Sequence, residues 1–261
     1  MSTESGSRWS PRGIAAVTGM HRSGTSCVAG LLVRCGFSLG TSHRMLNDNA
    51  SRFDNQRGHF ENLGVVAIND AILGKAGGAW YRVPPPQSVE SLAVPAGGLI
   101  GDFARLFNGT VIKDPRLSLT LPLWKRSCPS LSYAVFCVRH PLGVARSLAS
   151  RNKMSLQMGL GLWLEYNLRL AESINGLTFA IVDFDQLTAQ PTDTLCRLLS
   201  KLGVPFSEEK VGAEVDEFFD KELNHNPLSS EETASLPEDV KKLYTILRAR
   251  AAGERDRRGT A

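Results

Sequence analysis

The chain predicts an α/β fold of three layers, a central, mainly parallel sheet flanked by helices, on three observations. Short apolar runs at residues 14–18, 110–113, 132–138 and 177–184 alternate with segments of helical periodicity, the order that calls for right-handed crossovers and parallel pairing. The run at 132–138 is apolar at almost every position, as a strand covered on both faces must be. A glycine-rich turn at 19–24 links the first run to a helical segment, giving a strand, loop and helix in close succession.

The elements follow in order. Residues 25–35 place Val28, Leu31 and Leu32 on one face of a helix. Residues 36–62, polar and rich in Asn, Arg and His, predict a long irregular excursion over the surface. Leu63–Lys75 resumes helical periodicity, whereas 77–98, with Pro84-Pro85-Pro86, predicts a loop ahead of a helix over 100–107. Further helices are predicted from Ser118, over 142–151, from a Ser155 cap to Ile174, over 191–202 and over 237–252. The corresponding organisation is a flexible start (1–12), one domain (13–228), and a charged C-terminal helix and tail (229–261).

Composition narrows the function classes. With 261 residues and 42% hydrophobic content, one sizeable core can form. Lys and Arg total 30 against 26 Asp and Glu, a formal charge of +4 too small and dispersed to indicate a nucleic-acid partner, but suited to a small anion. The five cysteines, Cys27, Cys35, Cys128, Cys137 and Cys196, are scattered and show no metal-site spacing, which predicts buried free thiols in a reducing compartment. No apolar run long enough to span a bilayer and no signal-like start is present, so a cytoplasmic protein without a membrane span is expected.

The segment Gly19-Met20-His21-Arg22-Ser23-Gly24-Thr25-Ser26 has the glycine spacing of a Walker A phosphate loop, with Thr25 where that motif has Lys. Loss of the Lys weakens an ATP reading, while Arg22 inside the loop still supplies a cation and the helix start supplies N–H groups. His21 belongs to the same loop, where a lone histidine reads first as shaping the turn.

These eight residues resemble the 5'-phosphosulfate loop of bacterial carbohydrate-type sulfotransferases, within the superfamily that uses 3'-phosphoadenylyl sulfate (PAPS). The resemblance extends over residues 14–228 and implies a P-loop NTPase-like fold. It also implies that Arg22, Ser23, Gly24, Thr25 and Ser26 hold the 5'-phosphate and sulfate, with adenosine 3',5'-bisphosphate as product and no metal required. Relatives carry a second signature, an Arg at a strand end and a Ser eight residues on, for the 3'-phosphate; Arg139 and Ser147 match it. The match is consistent with a ligand at the carboxyl edge of an open α/β sheet.

Lys113-Asp114-Pro115-Arg116 resembles the Lys-Asp-Pro element in which the Lys stabilises the transition state; alternatively the turn is structural, its ions paired with one another. For the base, Glu61 and His59 both stand in Gly58-His59-Phe60-Glu61-Asn62, and Glu61 equally suits a cap for the helix at Leu63. Phe184 matches the aromatic position near adenine in relatives, with core packing as the alternative. Trp80, Trp163 and Tyr166 are candidate walls of the acceptor pocket or core residues, and His225 and Asn226 match a region that closes over the 3'-phosphate in relatives.

The implied activity is sulfuryl transfer from PAPS to a free hydroxyl on a glycan, glycolipid or other small molecule. A P-loop kinase or ATPase and a noncatalytic nucleotide sensor are the competing classes.

Overall fold

Ile14-Ala15-Ala16-Val17-Thr18-Gly19 is buried at every position, the pattern of a strand with helices packed on both faces. In the computed structural model, which describes residues 13–41, 60–219 and 230–253, this segment is β1 (Ile14–Gly19). It lies beside β2 (Val111–Lys113) and β3 (Leu131–Val138), and β4 (Thr178–Asp183) pairs with β3. All pairings are parallel and the sheet order is β2-β1-β3-β4.

The helices are α1 (Thr25–Arg34), α2 (Leu63–Lys75), α3 (Pro86–Glu90), α4 (Ala93–Leu106), α5 (Leu117–Ser127) and α6 (Pro141–Asn152). They continue with α7 (Leu156–Ser173), α8 (Phe184–Ala189), α9 (Pro191–Lys201), α10 (Glu208–Phe218), α11 (Ser230–Ala234) and α12 (Glu238–Ala251). None of the described helices is long and apolar enough to cross a membrane.

The period of two along the strands sorts the core into two layers. Ala15, Val17 and Val135 pack with Val28 and Leu32 of α1, Leu198 of α9 and Val215 of α10. Ala16, Ile112 and Phe136 face the other way, against Val65 of α2, Ile100 of α4, Trp124 of α5, Trp163 of α7 and Tyr244 of α12. Each fully buried aliphatic side chain contributes about 1.5–3 kcal/mol, so the sheet is held from both faces.

Three local expectations change. The stretch expected as a loop over 77–98 contains α3, and α4 begins at Ala93, seven residues ahead of the predicted Ile100. Pro95 is the third residue of α4, where a missing N–H costs no helical bond. Strand β4 ends at Asp183, whose side chain accepts from Asp185 N and Gln186 N and turns Phe184 into the first residue of α8. None of the five cysteines is in a disulfide, but Cys27, Cys35 and Cys196 are only half-buried.

The carboxyl ends of the strands converge. The chain leaves β1 towards β2 and leaves β3 towards β4 on the other side, making the β1–β3 gap the switch point of the sheet. There the loop after β1 meets Arg139, which follows β3, and register brings Lys113 beside Val17.

Candidate active site

The loop depends on glycine at two positions. Gly19 has φ 141°, and a Cβ there would lie 2.1 Å from Cys137 O, so only glycine lets β1 turn so close to β3. Gly24, φ 82°, precedes α1, and a Cβ there would meet the Phe184 ring at 2.1 Å. Between them Arg22 takes a left-handed φ of 69°, a conformation that persists in a non-glycine residue when its contacts fix it.

Those contacts come from α6 and from the end of β3. Arg22 Nε donates to Ser147 Oγ of α6 at 2.9 Å, and Arg139 Nη1 donates to Arg22 O at 3.2 Å. No side chain caps α1, so the positive end of the helix is turned on the loop. Ser23 Oγ and His21 Nε2 are buried and have no hydrogen-bond partner among the described residues. Buried polar atoms are nearly always paired, so two orphans in one loop mark a place for ligand oxygens.

Arg139 is held from two sides. Trp163 Nε1 donates to its carbonyl at 2.9 Å, and its guanidinium lies 5.1 Å from the centre of the Phe184 ring. Phe184 is only 5% exposed, packed against Gly24, a position that favours core packing over an adenine platform. Next to Arg139 in sequence, His140 caps α6: Nδ1 accepts from Leu142 N at 3.2 Å, leaving Nε2–H to donate to Thr233 Oγ1 at 2.9 Å. Burial pushes the His140 pKa down.

Lys113 Nζ stands 2.7 Å from Glu61 Oε1, with the two side chains 1% and 12% exposed. Glu61 is available for this pairing because the Asn62 side chain, not Glu61, caps α2 by accepting from Gly64 N. Burial pulls the Lys113 pKa down, and the Glu61 carboxylate opposes it. Asp114 pairs elsewhere: Oδ1 accepts from Arg116 N at 2.9 Å and Arg116 Nη1 at 3.0 Å, while Oδ2 accepts from Asn69 Nδ2 at 2.9 Å. Burial pushes its carboxyl up and Arg116 draws it back.

Asn69 was not singled out by the sequence. Its Oδ1 accepts from Thr120 Oγ1 and Trp124 Nε1, each at 2.8 Å, so it ties α2 to α5 beneath the turn that carries Lys113. The available signal was a polar residue between Val65 and Ile72 on the core face of α2.

His21 is packed by rings, Trp80 at 4.6 Å and Tyr166 at 5.8 Å, and Tyr166 Oη donates to Trp80 O at 2.8 Å. Trp163 and Tyr166 are fully buried core residues, whereas Trp80 is half-buried. Burial, and then Arg116, Lys113, Arg151 and Arg22, hold the His21 pKa well below its usual value. The chemistry this arrangement suits is electrostatic, several cations and helix N–H groups around one edge of a sheet. Candidates His59, His225 and Asn226 lie outside the described residues.

No protein-family model matches the chain, and no curated protein matches it. Among solved structures it is similar to the sulfotransferase domain of the curacin biosynthetic pathway, with a TM-score of 0.50, 16% identity, and 93% of this chain and 99% of that one covered. Sulfotransferase STF1 of Mycobacterium tuberculosis H37Rv aligns with a TM-score of 0.47 and 15% identity, over 94% of this chain and 78% of that one. The sulfotransferase domain of the Synechococcus PCC 7002 olefin synthase aligns with a TM-score of 0.49 and 16% identity, over 92% and 95%. At this identity the likeness is one of fold: the chain shares the α/β architecture, a parallel sheet flanked by helices, of the curacin-pathway sulfotransferase domain.

Proposed function

We propose that the protein is a PAPS-dependent sulfotransferase acting on an acceptor hydroxyl, with a glycan, glycolipid or other hydroxylated small molecule as acceptor. The observation that carries this reading is the 2.9 Å hydrogen bond from Arg22 to Ser147, which joins the two sequence signatures at one sheet edge. Ser23 Oγ and His21 Nε2, buried and without a hydrogen-bond partner among the described residues, and the start of α1, which has no side-chain cap there, suit the 5'-phosphosulfate. Arg139 and Ser147 are assigned to the 3'-phosphate, and Phe184 to fixing Arg139 and the loop.

In the proposed transfer the acceptor oxygen forms a bond to sulfur while sulfur's bond to the oxygen bridging it to the 5'-phosphate breaks. The electron pair of that bond goes to the leaving phosphate, and the hydroxyl proton goes to Glu61. Lys113 balances charge at both stages: paired with Glu61 before transfer, it is released towards the sulfuryl and leaving oxygens as Glu61 is protonated. The partial burial of the pair strengthens each of these interactions over their value in water.

Transfer of labelled sulfuryl from PAPS to a panel of hydroxylated sugars and phenols tests the assignment. Wild type is expected to label at least one acceptor, and Lys113→Ala to lower turnover by roughly a hundredfold or more while still binding adenosine 3',5'-bisphosphate. Nucleotide binding with no transfer to any acceptor would make the protein a sensor instead.

A further inference from the structure

A histidine that merely filled the space between Trp80 and Tyr166 would be better replaced by a hydrocarbon ring. His21 instead carries a buried Nε2 with no partner among the described residues, an arrangement that costs stability until something bonds to that atom. Its ring is fixed by Trp80 at 4.6 Å and Tyr166 at 5.8 Å, and its neighbour in the loop is Arg22.

The charged groups around it come from several elements. Arg22 lies in the loop itself, Lys113 on β2, Arg116 just before α5 and Arg151 on α6, and all four disfavour a charged imidazole. Tyr166 of α7 and Trp80 contribute neutral rings. Lys113 faces Glu61, and Arg116 faces Asp114 and Asp70, so part of this positive charge is already balanced. A ligand with several negative charges at the loop would balance the rest and remove the obstacle to protonating His21.

We propose that His21 is a direct ligand of the donor nucleotide, its Nε2–H bonding an oxygen at the 5'-phosphate end, and that the imidazole takes up a proton from solvent as the nucleotide binds. The identity of the nucleotide and the place of His21 beside its 5'-phosphate rest on the sulfotransferase reading; the coupled proton uptake goes beyond it. The loop thereby gains a positive charge that exists only while the site is filled, next to the phosphate oxygen that must leave. When the product departs, the proton returns to solvent and the imidazole is neutral again.

Calorimetric titration of adenosine 3',5'-bisphosphate near pH 7, in two buffers of different ionisation enthalpy, reads both consequences. Wild type is expected to take up protons on binding. His21→Phe, which keeps the ring packing, is expected to lose that uptake and bind roughly tenfold more weakly, the loss of one hydrogen bond to a charged group. His21→Gln, which keeps a donor but cannot become cationic, is expected to lose the uptake with a smaller loss of affinity. It also serves if His21→Phe does not fold. Uptake and affinity equal to wild type in either folded variant overturn the proposal while leaving the sulfotransferase reading intact. Wild type that does not bind the bisphosphate at all removes both.

Discussion

Arg22 gathers much of the site into one residue. Its left-handed backbone, φ 69°, is bracketed by Gly19 and Gly24, its side chain reaches Ser147, and its carbonyl receives Arg139. The loop's spacing was legible as a local pattern suited to an anion at a helix start, and the Arg139–Ser147 pair through its resemblance to a family signature. That Arg22 would bond Ser147 directly was not legible, because spacing in sequence says nothing of where a long flexible side chain comes to rest. His21 was legible only as a loop residue, since its rings come from positions 80 and 166, far away in the chain. Its environment has a consequence for stability. His21 is kept neutral in the folded protein below the usual 6.5, so the unfolded chain binds a proton that the folded one does not as pH falls through that value. Stability is therefore full above about pH 7 and declines as pH falls from 6.5 towards the lower folded value, with buried His140 adding to the decline. Melting temperatures of the nucleotide-free protein are expected to drop between pH 7 and pH 5, and to drop less in His21→Phe.

Among the elements, strands were easier to read than the helices around them. The four apolar runs became four paired strands: β1 and β2 are buried at every position and β3 at all but two, whereas β4, at the sheet edge, is buried at three of its six positions and was legible from its apolar run. Leu63–Lys75 was read to its ends, and Ser155 does cap α7 by accepting from Met158 N. The start of α4 was missed because the loop read from Pro84-Pro85-Pro86 was carried through to Gly98, although the proline within α4, Pro95, lies in the first helical turn and removes no bond. The short α8 was hidden because one residue, Asp183, both ends β4 and caps the helix. Asn69 links elements in a way that a single-sequence reading could not assign. Asn69→Leu would leave Asp114 without one donor and Thr120 and Trp124 without their shared acceptor. A loss of roughly 3 kcal/mol is expected in denaturant unfolding, together with slower transfer, because Asp114 fixes the turn that carries Lys113.

At the scale of the whole molecule, the sheet order decides where chemistry can happen. Among the described strands, the β1–β3 gap is where chain crossovers part to opposite sides, and the loop, Lys113 and Arg139 all emerge beside it. The C-terminal helix α12 belongs to the same body, with Tyr244 in the core and Arg248 Nε donating to Asp183 Oδ2 at 3.1 Å behind the second anchor. What the chain's overall charge could suggest was only a small anion; the meeting of two cationic side chains from different crossover units at one edge supports the proposal of one with two separated phosphates. In the proposed function Arg22 and Arg139 together hold one doubly phosphorylated adenosine, and metal-free equilibrium titration reads this binding. Wild type is predicted to bind adenosine 3',5'-bisphosphate at least tenfold more tightly than adenosine 5'-monophosphate, and Arg139→Ala to abolish that preference by removing the partner of the 3'-phosphate. Tighter binding of ATP with magnesium than of the bisphosphate, or an Arg139→Ala protein that still distinguishes the two metal-free ligands, would contradict it.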